Sequence, residues 1–281
     1  MKQIKICIAG LGNVGSALIE SIEENNEYFK TKTSLDIKIL GISAKSKTKS
    51  RKININNYEW FDDPLDMVKI KDCDIVVELI GEEKGISYEL INLALLNQKH
   101  VVTGNKALIA NHGNDLFKLA ETKSLALMFE AAVAGGIPSI KTIKNNINLN
   151  KIKKISGILN GTTNYILSKM DEENLPFNEV LTTAKEKGFT SDSESLLDIG
   201  GYDAAHKLSI LSTLAFGSKL DFNLNYIEGI ANVKIEDINF AKKLGYKIKL
   251  ISETSIIKNE ILNFTSPKLI SIDNPLSNVG D

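Results

Sequence analysis

Three glycines near the start of the chain have the spacing of a dinucleotide-binding turn. The segment GLGNVG, residues 10–15, follows an apolar, β-branched run at residues 4–9 and precedes a segment with helical spacing. In such a turn the glycines permit a sharp bend, the close approach of a pyrophosphate and the packing of helix on strand. The N–H groups that begin the helix then face the phosphates. We predict cofactor contacts from Gly10, Gly12, Asn13, Val14 and Gly15. The alternative is a purely structural turn.

The residues after the second predicted strand favour a cofactor that has a 2′-phosphate. An NAD-binding unit usually has Asp or Glu at this place, where the carboxylate holds the ribose hydroxyls. Here the strand ends at Ser43 and is followed by Lys45 and Lys47, with no acidic residue. A hydroxyl and two cations suit a phosphate, so we predict that Ser43 and Lys45 bind NADP, with NAD as the alternative.

A further group of charged residues lies late in the chain. Asp203 and Lys207 are four residues apart in a segment with helical spacing, so they share one helix face and can form an ion pair. Asp198 lies just before that helix. The pattern alone is more typical of a surface salt bridge than of a catalytic pair.

The elements that must position these residues change in type halfway along the chain. In the first half, strands and helices alternate, which is typical of an α/β fold with a doubly wound parallel (Rossmann) sheet. Strands are predicted at residues 4–9, 36–43, 73–79, 100–103 and 125–130, and helices at 14–24, 86–97 and 108–123. We predict a dinucleotide-binding domain over residues 1–134.

The second half begins with the small, glycine-rich segment AAVAGGIP at residues 131–138, which suits a domain boundary. After it, helices and strands mix without alternating. Helices are predicted near residues 139–145, 162–170, 178–187 and 203–216, and strands near 152–159, 246–253 and 261–264. We predict an α+β domain over residues 135–281 that binds the substrate and dimerises.

Composition excludes several classes of protein. The 34 basic and 35 acidic residues nearly cancel, which argues against a nucleic-acid-binding protein. Cys7 and Cys73 cannot supply a disulfide framework or a cysteine metal site. The two cysteines indicate a reducing, cytoplasmic compartment. No segment resembles a signal peptide or a membrane span, so we expect a soluble chain. The basic run KSKTKSRK, residues 45–52, is typical of a solvated loop, and His206 is expected to be exposed.

Several longer motifs resemble those of homoserine dehydrogenase. They occur in the family's order, from residue 4 to about residue 216, and NGTTNYIL and DIGGYDAAHKL are the most specific of them. The motifs are GLGNVG (10–15), VVELIG (76–81), TGNKAL (103–108), EAAVAGGIP (130–138), NGTTNYIL (160–167) and DIGGYDAAHKL (198–208). The resemblance implies an NAD(P)-dependent oxidoreductase that interconverts L-homoserine and L-aspartate 4-semialdehyde, a step of threonine and methionine biosynthesis.

The resemblance also implies roles for individual residues. Lys207 is the acid/base, and Lys106 reaches the cofactor and the reacting centre. Ile80 and Gly188 lie by the cofactor. The residues implied in substrate binding are Gly161, Thr162, Asp198 and Asp203. The residues implied in holding a monovalent cation, usually sodium, through a carboxylate and backbone carbonyls are Glu130, Val133, Gly135 and Ile137. Family members assemble through the second domain, so we expect a homodimer or a larger even oligomer.

Two features differ from the family pattern. Between the matches to Gly188 and Asp198 the family has an acidic residue and then Asp-Pro, whereas this chain has TSDSESLL at residues 190–197. Counting back from Lys207 places Asp192 at the family's substrate-binding glutamate, with Glu194 as the alternative. The chain also ends at Asp281, before a C-terminal part with which the family closes its cofactor site, and without a regulatory domain. We expect a fragment or an unusually short chain.

Two other functions compete with this interpretation. Aspartate-semialdehyde dehydrogenase acts on the same aldehyde, but its chemistry needs a cysteine nucleophile in the second domain, and no cysteine follows Cys73. A non-catalytic dinucleotide-binding sensor, or an inactive truncated remnant, stays open as the alternative. The presence of Lys106, Asp203 and Lys207 together favours the enzyme.

Overall fold

The computed structural model describes residues 1–146 and 150–280. The chain divides into two compact units, Met1–Ile137 and Pro138–Asp281. We predicted the boundary after residue 134, within the glycine-rich segment that ends the first unit. Among the described residues, no helix is both long enough and apolar enough to cross a membrane.

The first unit is a six-stranded sheet with helices. Its strands are β1 (Lys2–Ala9), β2 (Leu35–Ser43), β3 (Glu59–Phe61), β4 (Ile75–Glu78), β5 (His100–Thr103) and β6 (Leu127–Met128). Its helices are α1 (Asn13–Thr33), α2 (Ile86–Leu96) and α3 (Lys106–Thr122). The strand order is β3-β2-β1-β4-β5-β6, and every neighbouring pair is parallel. The predicted doubly wound sheet is therefore confirmed.

This topology determines where the first unit can bind a ligand. The strand order reverses between β1 and β4, and ligands of open α/β sheets bind beyond the carboxyl ends of the strands at such a point. β1 ends at Ala9, beside Glu78 at the end of β4. The carboxyl-terminal half of β1 and most of β4 are buried, as central parallel strands are. The glycine turn after β1 therefore lies at the switch point.

The second unit is a mixed sheet with helices. Its helices are α4 (Ser139–Asn146), α5 (Gly161–Glu173), α6 (Phe177–Glu186), α7 (Asp192–Ile199), α8 (Tyr202–Phe216) and α9 (Ile235–Lys243). Its strands are β7 (Lys154–Gly157), β8 (Asn225–Ile227), β9 (Tyr246–Ile257) and β10 (Glu260–Ser271), in the order β7-β9-β10-β8. The antiparallel hairpin of β9 and β10 turns at Lys258 and Asn259, both of which have the positive φ of a two-residue hairpin turn.

Helix α8 packs against this sheet through polar side chains. The Thr254 hydroxyl donates to Asn263 Oδ1 at 2.6 Å and shares a hydrogen bond of 2.9 Å with the Ser212 hydroxyl, all three residues being buried. The helix is buried on most of its faces, so it has no exposed stripe. The prediction that His206 is exposed was therefore wrong. Its ring is buried and stacks on that of Phe222, with centroids 4.4 Å apart.

Candidate functional sites

The glycine turn of the first unit has the geometry that its sequence predicts. Gly10 has φ +97°, and a Cβ there would lie 2.3 Å from the carbonyl of Leu79. A Cβ on Gly15 would lie 1.9 Å from the Gly10 carbonyl oxygen. Gly12, in contrast, has open space where its Cβ would be. Gly10 and Gly15 are thus required by the fold, while Gly12 leaves room for a ligand.

Helix α1 begins immediately after this turn. Gly12 is its N-cap, and Asn13 and Val14 are its first two residues. The first N–H groups of an α-helix have no partner within the helix, and they carry the positive end of its dipole. The Val14 side chain is exposed at this end. The helix start can therefore bind an anion such as a pyrophosphate.

A cavity of about 620 Å³ lies beside the turn. The glycine turn and the loops after β2 and β4 line it, including Ser43, Lys45 and Ile80. Ser43 is buried at the end of β2, and its carbonyl accepts the Gly10 N–H at 2.9 Å. The cavity is large enough for part of a dinucleotide, and the predicted cofactor residues of the first unit surround it.

Arg51 is a cation of this cavity that the sequence analysis missed, because it assigned the basic run to a solvated loop. Its guanidinium donates to the carbonyls of Leu11 at 3.1 Å and Ser46 at 2.8 Å. It also lies 5.9 Å from the centre of the Trp60 ring. Arg51 therefore ties the basic run to the glycine turn and brings a fixed positive charge to the cavity. The signal in the sequence was a single arginine among lysines after β2.

Lys106 is the first residue of α3. Asn105 caps this helix, its side-chain oxygen accepting the Leu108 N–H at 3.1 Å. The Asn105 amide also donates to the carbonyl of Glu82 at 2.7 Å, in the loop after β4. The position of Lys106 is thus fixed by a cap that also holds a neighbouring loop.

The predicted cation-binding residues form a tight turn at the end of the first unit. Ala134 and Gly135 both have left-handed backbone, with φ 61° and 54°. Glu130 begins a single 3-10 turn whose C-cap is Val133, and Val133 is buried. The Ile137 N–H donates to the carbonyl of Ala134, while the Ile137 side chain is exposed. Within the described residues, three or more acidic, cysteine or histidine ligands do not cluster anywhere. A cation here would depend on backbone carbonyls and one carboxylate.

In the second unit, Lys207 and Asp203 are one helical turn apart on α8 and are largely buried. The Lys207 ammonium donates to Asp203 Oδ2 at 2.6 Å and to the carbonyl of Leu159 at 2.8 Å. Their side chains are 18% and 7% exposed, so this is not the surface salt bridge that the pattern alone favoured. Two of the three ammonium N–H bonds have partners among the described residues. The third can point to a ligand.

Asn160 joins this pair to a second carboxylate. Its side-chain N–H₂ donates to Asp198 Oδ1 at 2.7 Å and to Asp203 Oδ2 at 2.9 Å. Its oxygen accepts the Thr163 N–H at 2.8 Å and caps α5. Asn160 lies in the motif NGTTNYIL, but no role was predicted for it from the sequence. Its signal was an asparagine directly before a helix, the usual pattern of an N-cap.

Two threonines complete the cluster. The Thr190 hydroxyl donates to Asp198 Oδ2 at 3.0 Å. The Thr162 hydroxyl, next to Gly161 at the start of α5, donates to the carbonyl of Phe189 at 3.0 Å. Gly188, with φ +77°, lies in the same loop as Phe189 and Thr190. The structure thus brings together the loop of Gly188, the start of α5 and the charged residues of α7 and α8.

Asp192 lies apart from these contacts. Its side chain is 92% exposed and accepts a hydrogen bond from Lys185 at 2.7 Å. The Lys185 ammonium lowers the pKa of the Asp192 carboxyl below its ordinary value. Glu194, the alternative, lies outside the residues whose side chains the structure describes. The choice between the two stays a prediction.

The chemistry of the cluster follows from its charges. Two carboxylates and one ammonium give a net charge of about −1 in a largely buried site, which favours a cationic group. The lysine can exchange a proton with an oxygen atom beside it. Asp203 orients the lysine, and Asn160 keeps the two carboxylates together by donating to both. The arrangement suits acid–base chemistry on a small molecule that contains an amine.

Comparison with known proteins identifies relatives of both units. Residues 138–281 match the family "Homoserine dehydrogenase", and residues 10–130 match "Homoserine dehydrogenase, NAD binding domain". The homoserine dehydrogenase of Neisseria gonorrhoeae is 40% identical over 279 residues, which are 99% of this chain and 63% of that protein.

Comparison with solved structures identifies relatives in the same family. The crystal structure of a homoserine dehydrogenase from Thiobacillus denitrificans has a TM-score of 0.94 and 38% identity, covering 100% of this chain and 64% of that chain. The S. aureus homoserine dehydrogenase at pH 6.0 has a TM-score of 0.86 and 38% identity, covering 100% of this chain and 70% of that chain. The chain thus spans slightly less than two thirds of the length of the first of these relatives.

Proposed function

Because the chain belongs to the homoserine dehydrogenase family, we propose that it interconverts L-homoserine and L-aspartate 4-semialdehyde. The main support is the buried cluster in which Asn160 links Asp198 to the ion pair of Asp203 and Lys207. Carboxylates that can bind the substrate ammonium, and a lysine beside them that can exchange a proton, are what the reaction requires together. The reaction is a step of threonine and methionine biosynthesis, to which the family belongs.

Lys207 acts as the acid and base. A bound nicotinamide dinucleotide accepts the hydride in homoserine oxidation and supplies it in the reverse reaction. In oxidation, the Lys207 amine takes the proton of the substrate hydroxyl as the hydride leaves the same carbon. In reduction, the Lys207 ammonium returns this proton to the developing alkoxide. Asp203 and the Leu159 carbonyl hold the side chain, which leaves one N–H for the substrate oxygen. Lys106 is a second catalytic candidate, from the first unit.

The substrate's own ammonium binds to the carboxylates of the cluster. Asp198 and Asp203 are its main acceptors, and both are already oriented by Asn160. Gly161 and Thr162, at the start of α5, offer backbone and hydroxyl groups to the substrate carboxylate, which the helix dipole also favours. Asp192 is a further candidate that the family resemblance implies.

The first unit binds NADPH in preference to NADH. The support is the absence of an acid at the end of β2 and the cations Lys45 and Arg51, which line the cavity beside Ser43. The pyrophosphate binds at the glycine turn and the start of α1. The residues proposed to contact the cofactor are Gly10, Gly12, Asn13, Val14, Gly15, Ser43, Lys45, Ile80, Lys106 and Gly188. NAD as a slower cofactor is compatible with this site.

A sodium ion binds at the turn of residues 130–137. Its ligands are the Glu130 carboxylate and the carbonyls of Val133, Gly135 and Ile137, which are the hard oxygen donors such a cation needs. The tight turn supports this, because two successive residues of positive φ and the hydrogen bond from Ile137 to Ala134 draw the carbonyls of this segment close together. Turnover in sodium, potassium and choline buffers of equal ionic strength tests the site. Equal rates in all three would contradict it.

The chain assembles as a homodimer in the cytoplasm. Apolar side chains of the second unit, including Tyr226, Ile256 and Leu269, are exposed on its sheet, and large exposed apolar groups often mark an interface. Sedimentation that gives a monomer at micromolar concentration would refute the dimer.

The cytoplasmic location rests on the free thiols of Cys7 and Cys73, and recovery of the chain from another compartment would refute it.

The function is tested by steady-state assays of the purified chain. We expect NADP⁺-dependent oxidation of L-homoserine and NADPH-dependent reduction of L-aspartate 4-semialdehyde, with L-serine and L-threonine as controls for side-chain length and branching. NADPH binding without turnover of either substrate would favour the non-catalytic sensor. Neither binding nor turnover would reject the proposed function.

A further inference from the structure

Glu78 is a buried carboxylate that the proposed mechanism does not use. It ends β4 and has no exposed surface. One of its oxygens accepts the N–H groups of Ile80 at 2.9 Å and Gly81 at 3.1 Å. The other accepts the hydroxyl of Thr103, at the end of β5, at 2.6 Å. A charge so fully buried is expensive unless it is satisfied, and here both oxygens accept hydrogen bonds from donors at or just beyond the carboxyl ends of β4 and β5.

These bonds continue into a closed circuit. Thr103 Oγ1 accepts the N–H of Asn105 at 3.0 Å. Asn105 caps α3 and donates to the carbonyl of Glu82, which lies one residue after Gly81. The circuit therefore runs from Glu78 through the turn before α3 and back through the loop after β4. It fixes two loops relative to each other with one carboxylate.

The circuit also determines which backbone atoms these loops can offer to a ligand. The N–H groups of Ile80 and Gly81 are occupied by Glu78. In a planar trans peptide the carbonyl points opposite to the N–H, so the carbonyls of Leu79 and Ile80 point away from the carboxylate. Leu79 and Ile80 line the cavity of the first unit. The loop thus offers acceptors, which suit sugar hydroxyls, while the donors for phosphate stay at the glycine turn.

We propose that Glu78 is a positioning residue for the dinucleotide, which fixes the loop after β4 and the start of α3 in the conformation that binds it. This inference rests on the proposed function only in taking the ligand to be a nicotinamide dinucleotide. It adds that affinity for the cofactor depends on a carboxylate that never touches it.

Three variants separate the parts of the circuit. Glu78→Ala removes both acceptors and leaves two buried N–H groups unpaired. Glu78→Gln keeps one acceptor oxygen for Ile80 and Gly81 but presents an amide to Thr103. Thr103→Val keeps the shape and removes the hydroxyl that links the two loops. Ser87→Ala is the matched control. Ser87 is equally buried in the first unit, and its hydroxyl has no hydrogen-bond partner in the part of the chain that the structure describes.

The measurement is fluorescence titration of the full chain with NADPH, with KM for cofactor and for homoserine from the same preparations. We expect Kd and KM for NADPH to rise about ten- to a hundredfold in Glu78→Ala, and about three- to tenfold in Glu78→Gln and Thr103→Val. KM for homoserine stays within about twofold. Glu78→Gln and Thr103→Val both alter the hydrogen bond between these two residues. The double variant should therefore weaken NADPH binding by less than the product of the two separate effects.

Other outcomes overturn the proposal. If Glu78→Gln and Thr103→Val bind NADPH within twofold of wild type while only melting temperature falls, Glu78 is merely structural. An equal loss in Ser87→Ala, or an equal rise of both KM values, also rejects it. Should Glu78→Ala not fold, the two conservative variants decide. Titration needs no turnover, so a wild-type chain that binds NADPH without oxidising homoserine rejects the proposed function and still tests Glu78.

Discussion

The candidate site of the first unit consists mainly of backbone groups, whereas that of the second unit consists mainly of charged side chains. In the first unit the groups that face the cavity are mainly backbone groups, and a buried carboxylate, Glu78, holds the loop after β4 by accepting two of its N–H groups. In the second unit the ligand-facing groups are charged side chains, and a buried amide, Asn160, donates to two of the carboxylates. In each unit, one buried polar residue joins two groups of the opposite hydrogen-bonding type: an acceptor joins two donors in the first unit, and a donor joins two acceptors in the second.

The two sites also differ in how much chain they need. The glycine turn and the start of α1 are consecutive residues, so their geometry is local. The charged cluster takes groups from four places: Leu159 to Thr162, the loop before α7, the end of α7 and the first turns of α8. A site made from distant segments depends on the packing of the whole unit. Because the cluster belongs to the second unit and the glycine turn to the first, substitutions in the cluster should change catalysis without changing cofactor binding. The first prediction tests this separation.

The largest effect is expected for Lys207→Ala. Without the amine, the developing alkoxide has no proton donor, and kcat should fall by about 10² to 10⁴. Lys207→Arg should restore little, because a guanidinium that stays charged is a poor acid and base. NADPH affinity, measured by titration of the same proteins, should stay near wild type.

Lys169→Ala is the matched control for this prediction. Lys169 pairs with Glu172 and Glu173, three and four residues later on α5, and both of these carboxylate side chains are about half exposed, at 55% and 52%. Turnover should be unchanged in this variant. If Lys207→Ala keeps most of its turnover, the acid is elsewhere and Lys106 is the next candidate. If it loses cofactor affinity and turnover together, the proposed separation of the two sites is wrong.

The next largest effect is expected at Asn160. Asn160→Ala leaves Asp198 and Asp203 without their shared donor, so kcat/KM for homoserine should fall about ten- to a hundredfold. Asn160→Asp adds a third negative charge to the cluster and should be worse. Both variants also lose or alter the cap of α5, so the melting temperature must be measured as well.

Asn160→Ser separates the two roles of this residue. A serine hydroxyl still caps a helix, but its single hydrogen cannot serve two carboxylates. We therefore expect a melting temperature close to that of wild type together with a loss of kcat/KM like that of Asn160→Ala. Full activity in Asn160→Ser would show that the cap, and not the bridge between carboxylates, is what the site needs.

A smaller effect, confined to the first unit, is expected for Arg51→Ala. Loss of the guanidinium should raise Kd for NADPH about tenfold more than Kd for NADH, because only the former has a 2′-phosphate. Ser43→Asp should shift the preference the same way by repelling that phosphate. Lys38→Ala, an exposed residue of the same strand as Ser43, is the control. A wild-type preference for NADH would contradict the assignment of both residues.

The contrast between local and assembled sites explains what the sequence alone could predict. The glycine fingerprint predicts the close approach of Gly15 to Gly10, because both residues belong to one turn, whereas the approach of Gly10 to Leu79 joins segments that are far apart in the chain. The alternation of apolar strands and amphipathic helices predicts the parallel sheet, which is confirmed. The contacts of Asn160 and Glu78 were not predicted, because their partners lie 38 and 25 residues away in the chain and a local sequence pattern does not indicate such a contact.

Errors in the predicted elements have similar causes. Strand β3, at the edge of the sheet, is only three residues long, which is too short to show the alternation of apolar and polar residues that identifies a strand. Helix α7 begins with the polar residues Asp192–Glu194, which resemble a loop. Strand β10 was predicted to end at residue 264 but continues to Ser271, past Pro267. Proline is tolerated there because β8 pairs only with residues 263–265, so Pro267 faces no partner on that side.

The smallest effect is expected for Asp192→Asn. The carboxylate is exposed and paired with Lys185, and surface ion pairs contribute little to stability. Unless the pair opens to bind substrate, KM for homoserine should change by less than about threefold in this variant.

The variant Lys185→Ala complements this measurement, because removal of the lysine frees Asp192 from its partner. KM for homoserine is measured in the same way. A KM that falls in Lys185→Ala and rises tenfold or more in Asp192→Asn would show that the carboxylate moves from Lys185 to the substrate ammonium, as the family resemblance implies. A small change in both would leave Asp198 and Asp203 as the carboxylates that bind the substrate, and the second site would then be confined to its buried cluster.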